Sequence, residues 1–205
     1  MGFMKRTIGI CLALLASWGA KAQYVSVSSE TLTSAYAALA GKNSRENRQA
    51  FFDAFPKNWM EYITTYQYGS ALYGQADRHV RALGEMAGTI AADAYCKRLV
   101  DLCIGGELDA DAPNHLRALV MDVLQKNDDC RKGIFSYLSK LRRGHRFQFW
   151  FFCLSNIVRS SSLEGEYARL NEYAKNCCPE EAEIMADAYK YAYDGVNFVH
   201  DGYGL

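Results

Sequence analysis

Apolar residues recur three or four positions apart through most of this chain, the spacing that gathers one face of an α-helix. Residues 23–29 alternate briefly and predict an extended arm, followed by a helix from Thr31 to Leu39 that ends at Gly41. Ser44 is suited to cap RENRQAFFDAF, because its hydroxyl can accept from a backbone N–H that the first turn leaves unpaired. Pro56 stops that helix. Asn58 caps the next, where Trp59, Tyr62, Ile63 and Tyr66 fall at helical spacing before Gly69. Val80, Leu83 and Ala87 share a face of a helix from Ala76 to Ala87. Tyr95, Cys96, Leu99, Leu102 and Cys103 share one between Ile90 and Ile104, which the Gly105-Gly106 pair ends. Asp111 opens a helix with Pro113 in its first turn and a stripe of Leu116, Leu119, Val120, Val123 and Leu124.

A further helix is expected from Asp128 to Arg142, burying Ile134, Leu138 and Leu141, with Gly144 closing it. The aromatic run RFQFWFFCL at 146–154 fits a buried strand or a buried helix by periodicity alone; helical neighbours and the lack of a partner strand favour the helix. Ser160-Ser161-Ser162 reads as a loop. Leu163 to Asn176 and Pro179 to Tyr193 form a last pair that turns at Cys177-Cys178-Pro179, and residues 196–205 show no clear period. The expected fold is therefore all-α: a single domain of stacked helical hairpins, an irregular array or bundle, over residues 44–195. Residues 23–43 form its arm and first short helix. One internal echo favours the array, since His79-Val80-Arg81-Ala82-Leu83 resembles His115-Leu116-Arg117-Ala118-Leu119 one helix pair later, and Leu72 and Ala76 match Leu108 and Ala112.

The N-terminus changes the picture of where this domain works. Lys5 and Arg6 precede an apolar run from Thr7 to Gly19, and Ala20-Lys21-Ala22 puts small residues where a signal peptidase reads them. That order predicts a cleavable signal peptide over residues 1–22, hence a periplasmic or secreted product. The run falls short of the roughly 20 apolar residues that span a bilayer, and no second long apolar stretch follows. The whole chain balances 23 basic against 23 acidic residues. Loss of Lys5, Arg6 and Lys21 takes the mature chain to about −3, which argues against general nucleic-acid binding. Six cysteines remain: Cys96, Cys103, Cys130, Cys153, Cys177 and Cys178. Cys96 and Cys103 lie on one predicted helix about 10 Å apart along its axis. That exceeds the roughly 7 Å a disulfide tolerates between α-carbons, so they do not pair with each other. Adjacent Cys177 and Cys178 are not expected to bond each other either; the other pairings, and buried free thiols, stay open.

No HExxH, P-loop, GxSxG or paired CxxC is present, and no cofactor or metal is expected. Glu107-x-Asp109-x-Asp111 opens like a calcium loop but continues with Ala112 and Ala118 where such a loop needs glycine and glutamate, so helix capping is the better reading. His79 and His115 could meet across stacked helices as ligands or as an acid–base pair, although histidines beside an apolar stripe more often sit hydrogen-bonded at a core edge. Cys153, inside the aromatic run, reads as core rather than as a nucleophile. The densest basic cluster is Lys140, Arg142, Arg143, His145 and Arg146, adjoining Phe147, Phe149 and Trp150. Arginine beside large aromatics typifies protein-binding hot spots, and a solvated helix end is the plainer alternative. Lys140, Arg142, Arg143, His145, Arg146 and Trp150 are the candidate partner-binding residues.

The segments FFDAFPKNWMEYITTYQYG, LYGQADRHV and CKRLVDLCIGGELDADAPNHL resemble a pattern of aromatic and helix-end positions in exported helical proteins of Bacteroides-type bacteria, over residues 50–155. The resemblance implies a Gram-negative periplasm or cell surface and carries no catalytic residue across. Some small exported helical proteins of such bacteria are immunity proteins, which neutralise toxins delivered by neighbouring cells. The expectation is a non-enzymatic exported binding protein whose partner is a toxin or an envelope enzyme. The rivals are a periplasmic hydrolase or ligand-binding enzyme with a groove between helices, using His79 and His115, and a structural envelope component.

Overall fold

A computed structural model describes residues 27–108, 111–155 and 160–194. The expected leader at 1–22, most of the arm and the tail at 196–205 lie outside the described residues. Among the described residues the chain forms ten helices and no strand. They are α1 (Ser29–Gly41), α2 (Arg45–Ala54), α3 (Trp59–Tyr66), α4 (Ala76–Gly84), α5 (Ala92–Cys103), α6 (Asp111–Lys126), α7 (Asp128–Leu138), α8 (Arg143–Leu154), α9 (Ser161–Cys177) and α10 (Pro179–Asp194). The aromatic run is helical, as its neighbours suggested.

Local chemistry explains most of the boundaries. Ser44 Oγ accepts from the Asn47 N–H at 3.2 Å, Asn58 Oδ1 from Glu61 at 3.0 Å and Asn127 Oδ1 from Cys130 at 3.0 Å. Ser160, expected in a loop, accepts from Leu163 at 3.3 Å and starts α9 instead. Each such cap contributes about 1 kcal/mol. Gly105, at φ 79°, takes the left-handed conformation beyond the end of α5 that other residues avoid. Two expected ends move. α4 stops at Gly84 rather than Ala87, and α7 stops at Leu138 rather than Arg142, so Gly144 lies in the first turn of α8 instead of closing a helix. The turn between α7 and α8 is closed by the Leu141 N–H donating to the Leu138 carbonyl at 2.8 Å. Turning there lets α8 fold back so that Trp150 meets Phe135 of α7, ring centroids 5.5 Å apart.

Packing in the middle of the chain follows the echo. α4 lies on α6 and α5 on α7, so matching members of consecutive hairpins stack, as in a helical array. Val80 and Leu116 are buried at matching positions of this stack. Gly84 allows a close approach, since a Cβ there would stand 2.7 Å from Leu119 Cδ1. The C-terminal part departs from the array: α10 returns against both α8 and α9. Among the described residues no helix is long and apolar enough to cross a membrane.

Candidate functional site

The structure divides the basic-aromatic segment between surface and interior. Lys140, Arg142 and His145 are exposed, and Arg143 is half-buried, reaching Asp187 of α10 at 3.4 Å. Arg146 and Trp150 are inside. Residues 146, 149, 150 and 153 follow the i, i+3, i+4, i+7 spacing of one helix face, so the stripe that buries Phe149, Trp150 and Cys153 carries Arg146 in with it. α10 supplies the counter-charge. Arg146 Nε donates to Glu181 Oε2 at 2.8 Å, Nη2 lies 2.6 Å from the same oxygen, and Nη1 reaches Glu180 at 3.0 Å. Trp150 Nε1 donates to the other Glu181 oxygen at 2.5 Å. Glu181 is only 1% exposed. Burial alone would push the Arg146 guanidinium down; the hydrogen bonds and charges of Glu181 and Glu180 outweigh it and hold the group above its ordinary value. Arg146 and Trp150 are therefore part of the seam between α8 and α10, and the expectation that they face a partner is corrected.

What remains outside is a positive corner. Arg142 is the N-cap of α8 but makes no side-chain cap bond, and no acidic residue occupies the first turn. Helix N-termini carry a partial positive charge, so basic residues there add to it. α7 stops at Leu138, so of these residues only Lys140 lies in the turn at its solvated C-terminal end, and Arg142 and His145 belong to the start of α8.

Beside this corner opens a groove of about 540 Å³ lined by Trp59, Met60, Ile104, Tyr137 and Leu141, with Asn58, Asp101 and His145 as its polar members. Met60 is 49% exposed. His145 lines this apolar trough, and the exposed Lys140 and Arg142 flank its lining residue Leu141 in the chain. Along the trough Lys97 bonds to Asp101 and donates to Tyr137 Oη at 3.0 Å, and Tyr137 Oη donates to Asp101 at 3.1 Å. Bonds to Asp101, then to Tyr137, hold the Lys97 ammonium above its ordinary value.

The echoed histidines do not meet in one groove. His79 is 2% exposed, shares a 2.9 Å hydrogen bond between Nδ1 and the Tyr66 hydroxyl, and touches the rings of Tyr36 and Phe51. Burial, helped by the nearby Arg78 charge, pushes its pKa down to about 4, so it is neutral at physiological pH. His115 lies at the surface, its Nδ1 3.7 Å from Asp77 Oδ1. Of the calcium-like triplet, Asp109 lies outside the described residues and Asp111 is the first residue of α6. Among the described residues no three His, Cys, Asp or Glu side chains are grouped so as to hold a metal ion.

Sequence reading missed one surface feature. Tyr68 and Tyr73 are 87% and 57% exposed, with ring centroids 5.3 Å apart in an edge-to-face contact. The loop between α3 and α4 that carries them is fixed by buried Leu72 and by the Ser70 hydroxyl, which donates to the Thr65 carbonyl at 2.7 Å. Gly69 and Gly74, both at positive φ, shape its turns. The tyrosines border a second groove of about 490 Å³ that also receives Gln67, Asp77, Asp111 and His115. The turn-rich spacing YGSALYG was the available signal.

Compared with known proteins, the chain matches no family model, no curated protein and no solved structure.

Proposed function

We propose that this is a non-enzymatic exported binding protein, an immunity protein that holds a toxin or an envelope enzyme. One observation carries the reading: an apolar trough with half-exposed Met60 includes His145, and the exposed Lys140 and Arg142 flank its lining residue Leu141, where α8 adds its own positive end. Apolar contact at the centre with charge at the rim is the anatomy of a protein interface. The sign of the rim calls for an acidic partner surface. The leader-like N-terminus and the lack of a catalytic motif point the same way.

The test is affinity capture from source-cell envelopes and from competitor extracts, with Met60→Asp and Arg142→Glu variants run in parallel. One dominant partner held by the unmodified chain and weakened at least about tenfold by each variant supports the reading. A partner held equally by all three chains removes this face, and no partner in either extract removes the function.

A second reading rests on Tyr68 and Tyr73. Two large exposed aromatics on a fixed loop beside carboxylates and a histidine suit a small polar ligand. This is the ligand-binding alternative with His115 retained and His79 excluded. Tyr68→Ala would abolish saturable ligand binding in a fluorescence screen while leaving protein capture intact.

A further inference from the structure

The fold brings cysteines together that spacing alone could not pair. Cys96 of α5 faces the first turn of α7, where its thiol donates to the Cys130 carbonyl oxygen at 3.6 Å, beside the buried Cys130 side chain. Gly133, one turn further along α7, makes the room: a Cβ there would stand 2.6 Å from the Cys96 sulfur. At the C-terminal end of α5, where α5 packs on α8, fully buried Cys103 has the equally buried Cys153 of α8 as a neighbour. All four are buried. Cys177 is exposed and Cys178 half-buried, adjacent to each other at the turn between α9 and α10.

A single buried cysteine is an ordinary small apolar residue. Two separate pairs, each meeting across a helix–helix contact, need a further reason. A disulfide requires side chains that approach from different elements with their β-carbons about 4 Å apart, which one intact helix cannot arrange for itself. We propose that Cys96 bonds to Cys130 and Cys103 to Cys153, so that α5 is stapled to α7 at one end and to α8 at the other. That the cell oxidises them rests on the export reading; the pairing itself does not.

Each bond forms with the loss of two protons and two electrons from a pair of thiols. The oxidant is another disulfide, a thiol–disulfide oxidoreductase in the cell or oxidised glutathione in the tube. A cysteine thiolate attacks it, one of its sulfurs leaves as a thiolate, and the partner cysteine then resolves the mixed disulfide, leaving the oxidant as two thiols. The attacking species is the thiolate. Burial, with the Cys130 neighbour, pushes the Cys96 thiol up to about 12, and burial, with Cys153, pushes Cys103 well above its ordinary value. Once folded in the reduced form, all four thiols are buried from oxidant, and Cys96 and Cys103 are poor in thiolate. The bonds therefore form while the chain is folding, before α7 and α8 cover α5.

The test uses the purified full chain, reduced and unfolded in guanidinium, then refolded in a glutathione redox buffer and digested without reduction for mass spectrometry. The expected peptides link Cys96 to Cys130 and Cys103 to Cys153. The reduced native chain in the same buffer should acquire these links at least about tenfold more slowly than the refolding chain. Free thiols at these four positions after refolding, or links to other partners, would overturn the proposal. Cys130→Ser and Cys153→Ser should each remove one link and keep the other, so either variant reports if the other fails to fold. A parallel sample alkylated in intact cells separates the two readings. Links in the tube with free thiols in the cell uphold the pairing and refute the oxidising compartment.

Discussion

Two buried polar centres, one in each half of the molecule, solve the same problem in opposite ways. In the N-terminal half, His79 sits among Tyr36, Phe51 and Tyr66 with one hydrogen-bond partner, and burial keeps it neutral. In the C-terminal half, Arg146 and Glu181 stay inside as a pair, with Trp150 and Glu180 completing their hydrogen bonds. Removing a charge from water costs several kcal/mol, so a lone group sheds its charge, whereas a well-paired one keeps it. The first centre is thereby sensitive to acid and the second to loss of a partner.

The largest effect should come from breaking the pair. Glu181→Ala leaves the indole N–H of Trp150 without its acceptor and the buried guanidinium with the exposed Glu180 alone, and should cost about 3 kcal/mol in a denaturant titration. Replacing both members, Arg146→Met with Glu181→Leu, should recover most of that loss, because no uncompensated charge remains. A double variant as unstable as the single one would show that the seam needs the ion pair itself.

Acid tests the other centre. His79 has a folded pKa of about 4 against about 6.5 when unfolded, so the unfolded chain binds the extra proton first. Its contribution is intact above about pH 6.5 and is lost as pH falls from there through 4, amounting to about 3 kcal/mol. Stability followed from pH 7 to 4 should fall by that amount in the unmodified chain and less in His79→Gln. Equal slopes would sink the assignment. Tyr66→Phe is the milder probe. It strands the ring nitrogen of His79 and should cost about 1–2 kcal/mol at neutral pH, read from the denaturation midpoint.

The unequal fate of the two centres also explains what could be read in advance. Helices were legible because caps such as Ser44 and Asn58 and the apolar stripes are local signals. The echo correctly paired Val80 with Leu116 as core positions, yet His79 went inside and His115 stayed out. Burial of a histidine depends on neighbours from distant segments, here Tyr36, Phe51 and Tyr66, which no pentapeptide contains. Arg146 was misread for a related reason. Its acceptor, Glu181, is 35 residues away, and a basic run gives no hint that one member has a buried carboxylate waiting. The exposed tyrosines at 68 and 73 were missed because aromatic residues near helical stripes look like core.

The smallest expected change in stability is the one that bears most on function. Arg142 and Arg146 lie one helical turn apart, yet only Arg146 has a carboxylate in the interior. Arg142 and Lys140 are exposed, and Arg142 stands at the positive end of α8, where the helix gains nothing from a basic residue. Arg142→Ala with Lys140→Ala should therefore alter stability by no more than about 0.5 kcal/mol, and relief of repulsion at the helix end favours a slight gain. If the trough beside them binds an acidic partner, the same pair of changes should slow association and flatten its dependence on salt, since rim charges act chiefly on the encounter. Association rates measured by surface plasmon resonance at two salt concentrations would read this directly. Unchanged rates with unchanged stability would leave Arg142 and Lys140 as solvated charges and confine any contact to the apolar floor around Met60.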